Sequence, residues 1–349
     1  MAVNSDILAH NKHGKSDDQQ KRDAALKVRI VTPARLHLGI IDTCGDLGRI
    51  YGSIGIAIDI PNIVLEAIPS ESLKATGEHA ERTLKIAQTF LERFPKARCA
   101  EINVSRGIPD HVGLGSGTQL SLAVGTAIAR LSGLDISVTD TAIALGRGKV
   151  SGIGVNAFEH GGFILDAGRR RTAEVKGVQS SLSLAVFRRK FPAEWRFVVV
   201  IPSIGRGLSG RTEDKAFSDL PPASPEVVGR ICRLIIMKML PSLVEKNIKD
   251  FGESMIAIQN LVGESFSQAQ GGQFFSPLVE DCIQFMLKSG ACGAGQSSWG
   301  PTVYGIVAND SDAEILKGHL EKFLNERDDG TVFVAKANND GARFSYTES

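Results

Sequence analysis

The chain has 349 residues, 42% of them hydrophobic, enough for one large or two ordinary domains with substantial cores. Its 40 Lys and Arg against 39 Asp and Glu give no global basic field for nucleic acid or an anionic membrane, so any phosphate recognition must be local. The 5 cysteines, Cys44, Cys99, Cys232, Cys282 and Cys292, contain no C-x-x-C pair and no zinc-finger spacing, and no apolar run reaches the ~18–20 residues that span a bilayer, so a reduced, cytoplasmic protein is expected.

Residues 1–25 are polar and without pattern, as in a disordered tail. "KVRIVTPARLHLGIID" alternates apolar and polar residues and "GSIGIAIDIPNIVLEAI" resumes that alternation, predicting paired strands. Helical spacing follows over 79–94, and "CAEINVSRGIP" reads as a strand leading into the glycine turn "IPDHVGLGSGTQ", which opens the Ala-rich helix "LSLAVGTAIARL". A helix is predicted over 137–148, then the strand "GFILDA". A second half, after a boundary near 186, begins with the apolar strand "WRFVVVIP". It continues through helices near 224–240, 242–265 and 276–289, the loop "GACGAGQSSWGPT", the strand "VYGIVA", a helix near 311–325 and the strand "TVFVAKA". The class is α+β.

In the turn, Gly113, Gly115 and Gly117 let the backbone approach an anion, and the N–H groups and positive dipole end of the following helix attract it. Leu114 sits among them, and Ser116 and Thr118 add hydroxyl donors. The spacing is neither that of a P-loop nor of a dinucleotide fingerprint, and a plain tight turn is the alternative.

"GLGSG" between a strand and an Ala-rich helix, with "SGIGVNAFEHGG" downstream, resembles the GHMP superfamily of small-molecule kinases. That resemblance implies a ribosomal protein S5 domain 2-like N-terminal domain over 26–186 and a ferredoxin-like C-terminal domain over 187–349. Where many such kinases carry a catalytic Asp, in a segment like P-S-G-I-D, this chain has "VSGIG" with Gly154, and no carboxylate lies between Asp140 and Glu159. The interval supplies Arg147 and Lys149 instead. Phosphoryl transfer leans on metal ions and on a group that orients the acceptor, so a kinase of that type is disfavoured.

A wider set of segments, "ARLHLGIID", "GDLGRIYGSIGIAI", "DHVGLGSGTQ", "GRGKVSGIGVNAFEHGGFILDAG", "GRGLSGRTEDKAF" and "GQSSWGPTVYG", resembles in order the β-ribofuranosylaminobenzene 5′-phosphate synthases, GHMP relatives that are not kinases. The resemblance implies condensation of phosphoribosyl pyrophosphate (PRPP) with 4-aminobenzoate or 4-hydroxybenzoate, releasing carbon dioxide and pyrophosphate, early in tetrahydromethanopterin biosynthesis. Mg²⁺ is expected to accompany PRPP, and no ATP is expected. An ATP-dependent kinase and a non-catalytic phosphate-metabolite sensor are the rival readings. A homodimer is the default assembly.

Such chemistry needs anion holders where the leaving group develops charge, a second anion site, and a clamp for the benzoate. Residues 113–118 are assigned to pyrophosphate. Strand alternation puts Arg35 and His37 on one face, a pocket wall or a solvent face, with Asp42 as a possible orienting group. Arg147 and Lys149 are candidates for transition-state contacts or ordinary charge at a helix end. Arg49 and Asn156 are further binding candidates, with His160 ranked below His37. Asp110 and Glu159 are the candidate Mg²⁺ ligands. In the second half, Arg206, Ser209 and Arg211 sit in a glycine-rich loop suited to gripping an anion. Gln296, Ser297, Ser298 and Trp299 form another loop, whose Trp either stacks on the benzoate ring or packs in a core.

Overall fold

The computed structural model describes residues 26–171, 182–205, 207, 215, 219–325 and 330–348; the expected tail, 1–25, lies outside the described residues. β1 (Leu26–Val31) and β2 (Ala34–Asp42) are separated only by Thr32-Pro33, yet they join different sheets. Pro33 has no N–H to give a ladder, and the chain turns there from one sheet into the next. β3 (Arg49–Ile58), β4 (Val64–Pro69) and β5 (Lys74–Gly77) follow, then α1 (Ala80–Arg93), β6 (Ala100–Arg106) and α2 (Ser116–Leu131). After them come α3 (Val138–Ala144), α4 (Ile153–Glu159), β7 (Phe163–Asp166), β8 (Arg169–Arg170) and β9 (Ala185–Arg189). α2 is buried almost all round because it packs on β1 and β4 on one side and on α1, α3 and α4 on the others. The helix expected over 137–148 stops at Ala144: Gly146 and Gly148 take φ of 65° and 77°, which turns Arg147 and Lys149 out of the helix into a loop.

The second half holds β10 (Arg196–Ile201), α5 (Pro225–Leu234), a π-helical turn (Ile235–Met239), α6 (Leu240–Glu245), α7 (Ile248–Gln270) and α8 (Pro277–Lys288). It ends with β11 (Gly293–Gln296), β12 (Val303–Val307), α9 (Asp310–Asn325), β13 (Thr331–Lys336) and β14 (Arg343–Glu348). Its antiparallel sheet runs β11-β12-β10-β13, and helices connect the first strand to the second and the third to the fourth. That is the expected ferredoxin-like arrangement. "WRFVVVIP" is apolar throughout because both faces of β10 are covered. Val198 and Val200 meet α8 and α9, while Phe197 and Val199 share the main core with Phe251, Met255 and Ile258 of α7.

Two expectations are corrected. The helix was expected to break at Pro241, but it runs through: the Leu240 N–H reaches back five residues to the Ile235 carbonyl, so the turn widens around the proline. The break comes at Lys246, with φ of 57°, and Asn247 caps the next helix at the Asp250 N–H. The domain limits also shift. Residue 186 lies inside β9, which pairs with β7, and β14 pairs with β1 from Leu26↔Glu348 to Val31↔Arg343. The last strand therefore belongs to the first sheet, where it covers what would otherwise be an open edge.

Helix α7 joins the two halves, packing on β2 and on β11. The approach to β11 depends on Gly252, where a Cβ would lie 1.9 Å from the Cys292 carbonyl oxygen. Gly252→Ala is expected to lower stability to urea by roughly 2–3 kcal/mol despite its better helix propensity. Gly229→Ala in α5, where a Cβ meets nothing within 4 Å, is expected to leave stability unchanged or raise it slightly in the same titration.

Candidate active site

The glycine turn enters α2 with Gly113 and Gly115 at φ of 88° and 84°. Both positions are crowded as well as left-handed: a Cβ at Gly113 would lie 2.2 Å from the Ser297 carbonyl oxygen, and one at Gly115 would lie 3.0 Å from Cγ of Arg35. Gly115 is the N-cap of α2 and supplies no side-chain cap, and the helix has no acidic residue in its first turn. The first-turn N–H groups and the dipole thus present positive potential. Three cations gather at that end, one of them, Arg82, paired with Asp110. Arg35 lies over Gly115, and the guanidinium groups of Arg82 and Arg147 flank Gly117. Arg35 donates to the Gly113 carbonyl, and Nε of Arg147 donates to Oγ of Ser121 at 3.0 Å.

Beside this end opens a cavity of about 310 Å³ between the two halves of the chain. Arg35, His37, Thr118, Arg147, Lys149 and Ser151 line it from one side, and Gln259, Gln270, Gln273, Gln296, Ser298 and Trp299 from the other, with Phe266 and Phe274 at the apolar end. No Asp or Glu is among the described lining residues. Burial, with the Arg35 charge adding to it, pushes the His37 imidazole from 6.5 down to about 3. His37 is therefore neutral near pH 7, able to donate or accept one hydrogen bond but not to act as a cationic acid.

The wall is held together by the Ser297 side chain, which is fully buried. Its Oγ accepts the His37 backbone N–H at 3.0 Å and donates to the Gly113 carbonyl at 2.6 Å, tying β2, the glycine turn and the loop after β11 at one atom. Ser298 N–H donates to the His37 carbonyl at 3.3 Å. Gln259 donates to the Leu38 carbonyl at 2.6 Å and accepts the Gln296 backbone N–H at 3.0 Å, while the Gln296 side chain accepts from Phe275 N–H and donates to the Ser298 carbonyl. Trp299 packs against Phe266, ring centroids 5.1 Å apart, within an apolar cluster that includes Ile40, and it also faces the cavity.

The structure thus brings together Arg35, His37, Thr118, Arg147, Lys149, Gln296, Ser298 and Trp299, with Ser297 directly behind them. Of the glycine turn, only Thr118 reaches the cavity wall. Other candidates are placed elsewhere. Arg49 clasps the carbonyls of Ala167 and Gly168 at 2.7 and 2.6 Å, Asn156 donates to the Gly152 carbonyl, and Asp42 accepts the N–H groups of Cys44 and Gly45. Asn156 and Asp42 serve their own local backbone, while Arg49 ties β3 to the backbone between β7 and β8. Arg206, Ser209 and Arg211 lie outside the described residues, although Gly207 beside them donates its N–H to the His111 carbonyl at 2.7 Å, next to the glycine turn.

The two candidate magnesium ligands do not converge. Asp110 is paired with Arg82 and, at 3.1 Å, with His79. Burial raises its carboxyl, but Arg82, His79 and the Ser116 hydroxyl outweigh this and hold it below its ordinary value. Glu159, at the far end of α4, has His160 as its neighbour at 3.7 Å. No group of three or more His, Cys, Asp or Glu suited to a metal occurs among the described residues. The residues present do not fit a resident Mg²⁺. Arg82 and the α7 glutamines Gln259 and Gln270 were not singled out from the sequence, since nothing local in α1 or α7 marks a residue that reaches the site only through the fold.

The family model of the GHMP kinases N-terminal domain matches residues 81–162, and that of the GHMP kinases C-terminal domain matches residues 239–326. The β-ribofuranosylphenol 5′-phosphate synthase of Archaeoglobus fulgidus is 37% identical over 321 residues, covering 90% of this chain and 98% of the relative. Its namesake in Methanothermobacter thermautotrophicus is 34% identical over 332 residues, covering 91% and 98%. The chain belongs to this synthase family. Solved structures share its fold: homoserine kinase from Cytophaga hutchinsonii (TM-score 0.61, 16% identity, 97% of this chain and 100% of that one) and mevalonate kinase from Methanococcus jannaschii (0.61, 17%, 89% and 98%). The space beside Gly154 is occupied by a neighbouring side chain. A Cβ at Gly154 would meet the Thr118 side chain at 3.1–3.4 Å, and the Gly154 carbonyl accepts Nε2 of Gln119 at 2.8 Å. No helix among the described residues is long and apolar enough to cross a membrane.

Because the His37 imidazole stands at about 3 when folded and 6.5 when free, the unfolded chain binds the extra proton between those values. Its stabilising effect is complete above pH 6.5 and is lost as pH falls towards 3. Urea titrations are expected to show the wild type losing about 2 kcal/mol more than His37→Gln between pH 7 and pH 5. Equal losses would show that His37 is not buried neutral. Ser297→Ala orphans the buried His37 N–H, while the Gly113 carbonyl keeps its bond from Arg35, and is expected to cost about 1–3 kcal/mol by the same measurement.

Proposed function

We propose that the protein is a decarboxylating phosphoribosyl C-glycosyltransferase that joins PRPP to 4-hydroxybenzoate or 4-aminobenzoate. The supporting observation is the cation-lined cavity beside the N-terminus of α2, where Arg35, Arg147 and Lys149 line the wall and Arg82, paired with Asp110, flanks the helix end. A departing pyrophosphate develops negative charge at its bridging oxygen, and fixed guanidinium and ammonium groups stabilise that charge without rearranging. Magnesium enters as part of the PRPP substrate, held by its phosphate oxygens.

The other end of the cavity suits an aromatic acid. Trp299, Phe266 and Phe274 give it an apolar wall, and the glutamine amides and neutral His37 offer hydrogen bonds without a charge that would repel a carboxylate. The reaction begins as the C1–O bond of the ribose breaks and its electron pair leaves with pyrophosphate. The ring carbon bearing the carboxylate then attacks C1, and the C–C bond to the carboxylate gives its electrons back to the ring as carbon dioxide departs. The relatives are named for a ribofuranosylphenol, the product expected from 4-hydroxybenzoate, which favours the hydroxy over the amino substrate. A cytoplasmic setting and a place early in tetrahydromethanopterin assembly follow from the same reading.

Incubation with PRPP and carboxyl-labelled 4-hydroxybenzoate is expected to release labelled carbon dioxide and pyrophosphate in equal amounts. ADP formed from ATP with an alcohol acceptor, without carbon dioxide, would establish a kinase instead, and tight binding of PRPP without turnover a sensor. In the same assay, Arg147→Ala is expected to lower kcat by about 10²–10³-fold, the usual effect of removing one charge-stabilising donor. Arg49→Ala, at a clasp away from the cavity, is expected to leave kcat near wild type.

A further inference from the structure

Among the residues lining the cavity, Ser151 is connected to a carboxylate that the proposed reaction has not yet used. Pairing of β3 with β7 sets Ser53 directly opposite Asp166, and both are fully buried. Ser53 Oγ donates to Oδ2 of Asp166 at 2.5 Å, and the Ser53 and Ser151 hydroxyls are 2.7 Å apart. Asp166 also accepts the Gly152 N–H at 2.9 Å and the Gly168 N–H at 2.8 Å, and Ser151 Oγ accepts the Ile153 N–H at 3.2 Å.

Counting donors sets the direction of this chain. A serine hydroxyl has one hydrogen. With Asp166 ionised, the Ser53 hydrogen is committed to the carboxylate, so Ser151 must donate to Ser53. Its own hydrogen is then spent inwards, and Ser151 can offer the cavity only an acceptor. The wall at that point is selective for a group that brings a proton.

We propose that Ser151, Ser53 and Asp166 form a proton relay that takes up the para-hydroxyl proton of the benzoate during C–C bond formation and returns it afterwards. This rests on the benzoate reading above. The substrate hydroxyl gives its proton to Oγ of Ser151, the Ser151 proton passes to Oγ of Ser53, and the Ser53 proton passes to Oδ2 of Asp166. The electron pair left on the phenolic oxygen moves into the ring, and the carbon bearing the carboxylate attacks ribose C1 as pyrophosphate leaves. Loss of carbon dioxide restores the aromatic ring as a phenoxide. The proton then returns along the same hydroxyls, so the relay ends as it began and no co-reactant is consumed. Burial raises the Asp166 carboxyl above its ordinary value, against the opposing effect of the Ser53, Gly168 and Gly152 hydrogen bonds, which brings it closer to a phenol than an exposed Asp would be. Ser151 is the group that touches substrate; Ser53 and Asp166 act through it.

The test compares two substrates that differ in hydroxyl acidity: 4-hydroxybenzoate, and 3,5-difluoro-4-hydroxybenzoate, whose ring fluorines make it far more readily ionised and so less dependent on a base. With saturating PRPP, Ser151→Ala, Ser53→Ala and Asp166→Asn are each expected to lower kcat about 10²-fold on 4-hydroxybenzoate and less than about 5-fold on the difluoro acid, relative to wild type on each, with PRPP KM unchanged. Ser151→Thr, which keeps a hydroxyl, is expected to restore most of the rate. Equal losses on both acids, or a loss that appears as a raised KM for PRPP, would overturn the relay and leave Ser151 as a structural or ribose-binding residue. Ser151→Ala keeps the Asp166 backbone contacts, so it carries the comparison if Asp166→Asn fails to fold. Wild-type protein releasing no carbon dioxide from either acid would overturn the benzoate reading and the relay with it. Turnover of both acids by the wild type, with variants slowed equally, overturns the relay alone.

Discussion

The hydroxyl of Ser297 is the point on which this architecture turns. It accepts from the backbone of β2 at His37 and donates to the backbone of the glycine turn at Gly113, while its own chain belongs to the ferredoxin-like half. Gly113 can bear no side chain because the Ser297 carbonyl occupies the space beside it. One buried hydroxyl thereby holds the glycine turn at a set distance from the strand carrying Arg35 and His37 and from the loop carrying Trp299. Gln259 and Gln296 extend the same seam with amide hydrogen bonds that close on backbone groups. A seam made of neutral, satisfied polar groups can be buried without the desolvation cost that ion pairs would bring there.

Against that neutral frame the cations acquire their meaning. Guanidinium groups at the positive end of a helix raise one another's energy, by a few kcal/mol per close pair at the effective dielectric of a partly open site, a repulsion that Asp110 offsets at Arg82. An arriving polyanion relieves this repulsion, so the site is pre-organised for the charge that it meets. Solved homoserine and mevalonate kinases share this fold at 16–17% identity. Here Thr118 packs against Gly154, and the carboxylate that does approach the cavity, Asp166, lies behind two serines. The fold is shared, while the chemistry at its centre is built from a different set of charges.

Much of the fold was legible because its signals are local. Alternation over "ARLHLGIID", the glycines before an Ala-rich helix and the uninterrupted apolar run of β10 each reflect a burial pattern that repeats along the chain. The misreadings arose where a remote partner decided. Pro241 reads as a helix end, but packing of the flanking turns makes a widened π turn cheaper than a break. β14 carries no strong strand signal, because an edge strand with exposed Phe344 and Tyr346 takes its hydrogen bonds from β1 rather than from its own composition. In the site, Arg35, His37, Arg147 and Lys149 stood out by their neighbours in sequence. Arg82 and Gln259 did not, because their partners are remote along the chain. Arg49 and Asp42 had the right chemistry, yet Asp42 was captured by the N–H groups of its own turn and Arg49 by the remote carbonyls of Ala167 and Gly168.

The sequence by itself determined the helix that presents its N-terminus after a glycine turn, the missing acid at Gly154 and the positive residues that replace it, since each is a property of a few consecutive residues. It also determined the two-part α+β order. The tertiary structure alone decided which cations surround the helix end, which face of β2 becomes a cavity wall, and how Asp166 communicates with that cavity through Ser53 and Ser151. Those outcomes depend on hydrogen bonds that are satisfied only when strands and loops distant in sequence are brought within about 3 Å, and no local pattern encodes that proximity.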